Sequence, residues 1–106
     1  MINKILVIGS GAREHAIVKA LSRSPKNKEI YCLASSMNPG IAELCDEIII
    51  DDINNPQTVG RYAKEIKATL AIIGPENPLA NGVSDILWDF GIPTIGPKKN
   101  LAQIEV

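Results

Sequence analysis

Five short runs rich in Ile, Leu and Val punctuate the chain: Lys4 to Ile8, Glu29 to Ala34, Glu47 to Ile50, Thr69 to Ile73 and Pro93 to Ile95. Their apolar residues are largely consecutive, the pattern of strands covered on both faces. Between them lie segments with helical spacing, the clearest being Val59, Tyr62, Ala63 and Ile66, then Leu79, Val83, Ile86, Leu87 and Phe90. Such alternation builds β-α-β units with right-handed crossovers and a parallel sheet between helices. The expected fold is α/β: a doubly wound, Rossmann-like parallel sheet of five strands in the order 3-2-1-4-5.

The punctuation agrees. Asn55-Pro56 and Asn77-Pro78 each place a capping Asn before a Pro at the first helical position, where the missing N–H costs nothing. Gly91 follows Phe90 where a left-handed C-cap residue belongs, and Pro93 suits the opening of an edge strand. Ser35 to Glu43 is expected to be a loop containing the turn Asn38-Pro39-Gly40, followed by one helical turn.

Composition narrows the classes of function. A chain of 106 residues with 45% apolar content has room for one core and enough material to fill it. Eleven Lys and Arg against 12 Asp and Glu leave a net charge of -1, so no field of one sign drives binding to nucleic acid or acidic membranes. The longest apolar runs fall far short of the ~20 residues that span a bilayer, and the start lacks a signal-peptide pattern. A cytoplasmic location is the expectation. Cys32 and Cys45, with one His in the chain, match no usual zinc spacing, so both are expected reduced, as small apolar residues.

Two constellations could carry chemistry. Gly9-Ser10-Gly11-Ala12-Arg13-Glu14-His15 follows the first strand and opens a helix, the position of a phosphate-binding loop in doubly wound folds. Gly9 permits the tight turn, and Gly11 lets backbone N–H groups approach a ligand. The dinucleotide fingerprint wants a third small residue where Glu14 stands and an acid closing the second strand, which ends Leu33-Ala34-Ser35 instead. The loop then either cradles another anion or simply packs strand against helix. Arg13 is a cation in a first turn that disfavours cations; it serves a bound anion or pairs with an acidic neighbour. His15 is a packing residue or a proton carrier.

The second constellation, Gly74-Pro75-Glu76-Asn77-Pro78-Leu79, joins the fourth strand to a helix. In the order 3-2-1-4-5 it faces the Gly9 loop across the crevice where α/β ligands bind. Glu76 there suits a ligand bearing both phosphate and amine; alternatively it only complements the helix dipole. Asp51-Asp52 is expected to be a solvated turn and not a metal site, and Lys98-Lys99 a solvated pair.

Taken together, Gly9 to Ala16, Gly74 to Leu79 and the closing Gly96-Pro97 closely resemble the N-terminal domain of the phosphoribosylamine–glycine ligases, or glycinamide ribonucleotide synthetases. The first motif usually reads G-N-G-G-R-E-H-A in that family; Ser10 and Ala12 depart from it, and backbone approach at position 12 becomes less free. The Gly-Pro-Glu-x-Pro-Leu match is complete, and Asn38-Pro39-Gly40 sits where the family carries a Gly/Asn/Pro-rich loop. The resemblance implies a pre-ATP-grasp domain over residues 1–97, with 98–106 starting a linker helix towards an ATP-grasp domain. An end without a C-cap agrees with a fragment of a longer protein.

By the same resemblance, the full enzyme joins 5-phosphoribosylamine to glycine in de novo purine synthesis, using ATP and Mg (or Mn) through a glycyl phosphate. This segment would hold neither catalytic residues nor cofactor. Its substrate-binding residues would be Gly9, Gly11, Arg13, Glu14, His15, Pro75, Glu76 and Asn77, its partners the small-molecule substrate and the ATP-grasp domain. An independent dinucleotide-binding module and a flavodoxin-like interaction domain are the alternatives.

Overall fold

Residues on a strand buried from both sides divide by parity, odd against one helical layer and even against the other. In the computed structural model, which describes residues 2–24, 27–75 and 82–96, strand β1 (Asn3–Ile8) does this at the centre of the sheet. Leu6 and Ile8 join Leu33, Ala71 and Ile73 in one core cluster, while Ile5 and Val7 join Ile30, Cys32 and Ala34 in the other.

The remaining elements follow in chain order: α1 (Ala12–Arg23), β2 (Lys28–Ala34), α2 (Pro39–Leu44), β3 (Glu47–Ile50), α3 (Pro56–Ile66), β4 (Leu70–Ile73), α4 (Val83–Asp89) and β5 (Thr94–Ile95). The sheet order is β3-β2-β1-β4-β5, with every pairing parallel, as the alternation of runs requires. Val18 of α1 and Ile41 of α2 cover one face; Val59 and Ala63 of α3 with Val83 and Leu87 of α4 cover the other. No helix among the described residues is long and apolar enough to cross a membrane.

The caps show where local chemistry set the boundaries. Asn55 caps α3, its Oδ1 accepting from the N–H of Gln57 at 2.9 Å and of Thr58 at 3.4 Å. Gly91 has φ 77, the left-handed value its place after α4 demanded. Two expectations need correction. Asn38-Pro39-Gly40 is no free turn: Asn38 Oδ1 accepts from Gly40 at 3.0 Å and Ile41 at 3.2 Å, so the segment is a cap with Pro at the first helical position. The helix expected through Leu79 to Phe90 starts, among the described residues, at Val83, because Gly82 has φ 89 and cannot continue a right-handed turn. The Asn77-Pro78 cap lies outside the described residues.

The two cysteines differ. Cys32 is fully buried on β2, and burial, with smaller contributions from Cys45 and Glu14, pushes its thiol up to about 12. Cys45 is the half-buried C-cap of α2, packed against the cluster that contains Cys32, its thiol raised chiefly by burial.

Two outcomes are expected. Asn55→Ala should cost about 1 kcal/mol, the usual loss for a side-chain cap. Asn38→Ala should cost more, because Asn38 Nδ2 also donates to the Ser10 carbonyl at 2.8 Å. Paired urea melts check the ranking, and equal midpoints would contradict it. A disulfide reagent at pH 8 should modify Cys45 slowly in the folded protein and reach Cys32 only on unfolding, since the thiolate is the reactive form. Equal native rates would refute the assignment.

Candidate functional site

The turn after β1 is shaped around one carboxylate. Gly9 has φ 127, and a Cβ there would meet Glu14 Cγ and Oε1 at 2.7 Å. A Cβ on Gly11 would stand 3.2 Å from Oε1, and one on Gly74 would overlap the same carboxylate. Glu14 is only 5% exposed, and its Oε1 accepts from the Gly11 N–H at 2.8 Å. That is one half of a capping box; Gly11 has no side chain to supply the other. Sequence reasoning reserved the openness of Gly11 for a ligand, and here the correction is physical: the Gly11 N–H is already engaged, and the freed space holds Glu14.

What remains open is the first turn of α1. Its N-terminus has no capping side chain, so the N–H groups of Ala12 and Arg13 project beyond the helix without intrahelical partners. The helix dipole gives that end a partial positive charge. Arg13 Nη1 donates to the Gly74 carbonyl at 3.0 Å and straps the β1 loop to the β4 loop.

The β2–α2 loop closes another side. Ser10 and Ser36 hydroxyls lie 3.2 Å apart, and Asn38 holds the Ser10 carbonyl. His15 is half-buried with its ring against Gly40, where a Cβ would overlap it, and makes no hydrogen bond among the described residues. Its placement is that of a packing residue between α1 and α2.

The structure thus brings together Gly9, Gly11, Arg13 and Glu14 with Gly74, and Pro75 follows half-buried at the same edge. Glu76 and Asn77 lie outside the described residues. Sequence reasoning missed Ser36 and Asn38 as neighbours of the β1 loop. The Asn-Pro cap rule applied at Asn55 would have found the local role of Asn38; its bond to Ser10 is tertiary and left no local signal.

Other polar groups lie elsewhere. Asp51 Oδ1 accepts from the N–H of Asp52 at 2.7 Å, and Asp52 Oδ1 from that of Asn54 at 3.0 Å, which makes the pair a solvated turn. No group of three or more His, Cys, Asp or Glu among the described residues could hold a metal ion. A cleft of about 280 Å³ lies between β3 and α3, lined in part by Ile49, Arg61, Tyr62 and Glu65. There the Tyr62 hydroxyl donates to Glu47 at 2.6 Å, and burial together with this bond raises its pKa. On β2, a 2.7 Å bond to Glu29 is the main cause pushing Tyr31 up to about 12.

Comparison with known proteins adds a family to this geometry. The family model described as "Phosphoribosylglycinamide synthetase, N domain" matches residues 3–105. The phosphoribosylamine–glycine ligase of Methanosarcina barkeri is 47% identical over 102 residues, which cover 96% of this chain and 24% of that protein. Among solved structures, phosphoribosylglycinamide synthetase from Anaerococcus prevotii superposes with a TM-score of 0.71 at 18% identity, over 86% of this chain and 23% of the other. N5-carboxyaminoimidazole synthetase from Staphylococcus aureus gives 0.63 at 16%, over 87% and 23%. At such identities the two structures speak for the fold alone. The chain spans about a quarter of the length of its sequence relatives. With the family model covering nearly every residue and the relatives agreeing, the chain belongs to the phosphoribosylglycinamide synthetase N-domain family.

Proposed function

We propose that this chain is the substrate-binding part of a phosphoribosylamine–glycine ligase, and that the crevice between the β1 and β4 loops receives 5-phosphoribosylamine. The observation that carries the reading is the convergence of both motifs, joined by the 3.0 Å bond from Arg13 to the Gly74 carbonyl. Open amides of α1 favour the phosphate of such a substrate. Gly9, Gly11, Arg13, Glu14, His15 and Pro75 surround the crevice or support it, and Glu76 and Asn77 follow directly in the chain. Glu76 is assigned to orient the amine.

Residues 1–97 are proposed as the pre-ATP-grasp unit and 98–106 as the beginning of the linker to an ATP-grasp domain; residues 97–106 lie outside those described. In this reading ATP, Mg (or Mn) and glycine act in the remainder of the longer protein. The described residues do not gather a metal-ligand set, and the Asp51 and Asp52 carboxylates each serve backbone N–H groups. This chain's own contribution is to bind the phosphoribosyl part and fix the amine's direction, which lowers the entropic cost of the later encounter.

Two measurements test this. In the full-length ligase, Glu76→Gln should lower kcat/KM for phosphoribosylamine by roughly tenfold to over a hundredfold, the worth of a charge-assisted contact, with the melting temperature nearly unchanged. A lowered melting temperature with normal kinetics would instead assign Glu76 to the helix dipole. NAD and NADP should show no binding at sub-millimolar concentration in calorimetry. Glu14 occupies the third-glycine position, and no acid closes β2 to hold a ribose. Low-micromolar binding would favour a dinucleotide module.

A further inference from the structure

Strand β3 forms one edge of the sheet, and its outer side has no strand partner among the described residues. An edge strand turns a row of backbone N–H and C=O groups away from the sheet, open to a further strand. This edge contains Ile48-Ile49-Ile50, a β-branched run with neither Pro nor Lys to blunt it, and Ile50 is 45% exposed. Beside it lies the cleft of about 280 Å³ between β3 and α3. Leu33 and Ile49 give this cleft an apolar part, while the carboxylates of Glu47, Asp51 and Glu65 outnumber the Arg61 guanidinium around it. The Tyr62 hydroxyl donates to Glu47 at 2.6 Å, which holds that carboxylate in place without neutralising it.

Charge decides what the edge accepts. A second copy pairing through the same edge would bring the same carboxylates against these, and like charges across a strand pair are destabilising. Asp51 and Asp52, exposed just beyond β3, extend the acidic border. An extended segment with basic side chains suits both features at once. Its backbone continues the sheet, and a Lys or Arg on its α3 side reaches the carboxylates of the cleft while the apolar stem covers Ile49. This chain runs on from β5, at the other edge of the sheet and four strand spacings, about 19 Å, away. A separate polypeptide reaches β3 without crossing the layers. We propose that the β3 edge is a docking surface for an extended basic segment of another protein, added as a further strand with one Lys or Arg seated in the cleft. The surface lies two strands from β1 and is independent of the substrate reading above.

Fluorescence anisotropy at low salt tests this with a fluorescein-labelled hexapeptide of alternating Val and Arg. This chain should bind it at least about tenfold more tightly than the Val-Glu peptide. The same margin is expected over a Val-Arg peptide methylated at every backbone nitrogen, which keeps the charge and loses the donors, at about tenfold or more. Glu65→Lys, at an exposed position of α3, should weaken the Val-Arg peptide at least about fivefold and leave the melting temperature nearly unchanged. No binding, or equal binding of the acidic or the methylated peptide, overturns the proposal. So does an affinity unchanged by Glu65→Lys. If that variant does not fold, Glu65→Gln, which removes the charge alone, decides by the same criterion with a smaller loss expected. The full-length ligase should bind the Val-Arg peptide as this chain does; loss of binding there would show the rest of its own chain covering the edge and would overturn a separate partner.

Discussion

The Glu14 carboxylate is the point on which the crevice end of the sheet depends. It holds the Gly11 N–H and fills the space left by the missing side chains of Gly9, Gly11 and Gly74. Those residues end the two strands that share the β1–β4 pairing, so one side chain sets how closely their loops approach. Any Cβ at Gly74 would displace the carboxylate, and displacement would release the Gly11 N–H in turn. Glycines that resemble a phosphate loop in sequence are thus required first by a neighbour inside the protein.

Most of the fold was legible because it rests on local rules. Continuous apolar strands reported a sheet covered on both faces, and Asn55-Pro56 reported its helix start through backbone N–H groups two and three residues on. Reading failed where an unusual backbone value or a distant partner intervened. Gly82 interrupts an unbroken helical spacing with φ 89, which apolar periodicity does not register. Asn38-Pro39-Gly40 contains both cap and turn chemistry, and packing of Ile41 into the core selects the cap.

The meeting of the β1 and β4 loops was legible, and its wiring was not. Strand order placed the Gly9 loop and Gly74 side by side at the switch point, and the exposed Asp51 and Asp52 carboxylates accept from backbone N–H groups of their own turn. For Arg13 an anion or an acidic neighbour was expected, and the bond of its Nη1 to the Gly74 carbonyl was not foreseen. A backbone acceptor so far along the chain has no residue-type signature. Glu14 was read as a poor third glycine and, by resemblance, as a substrate-binding residue; its packing against Gly74 exists solely in the folded chain and left no signal.

The location of the opening follows from the layers. The loop after β1 leads to α1, whose Val18 packs on the odd face of the central strand; the route from β4 leads to α4, whose Val83 and Leu87 pack on the even face. Adjacent parallel strands therefore send their connections to opposite sides, and a gap is left between them. An empty gap would expose the ends of both strands to water. Here Glu14 fills its floor and Arg13 spans it, leaving the open α1 amides above. The strap and the floor thus bring a cation and a carboxylate to one gap, and each is held by a backbone group of the loops it joins.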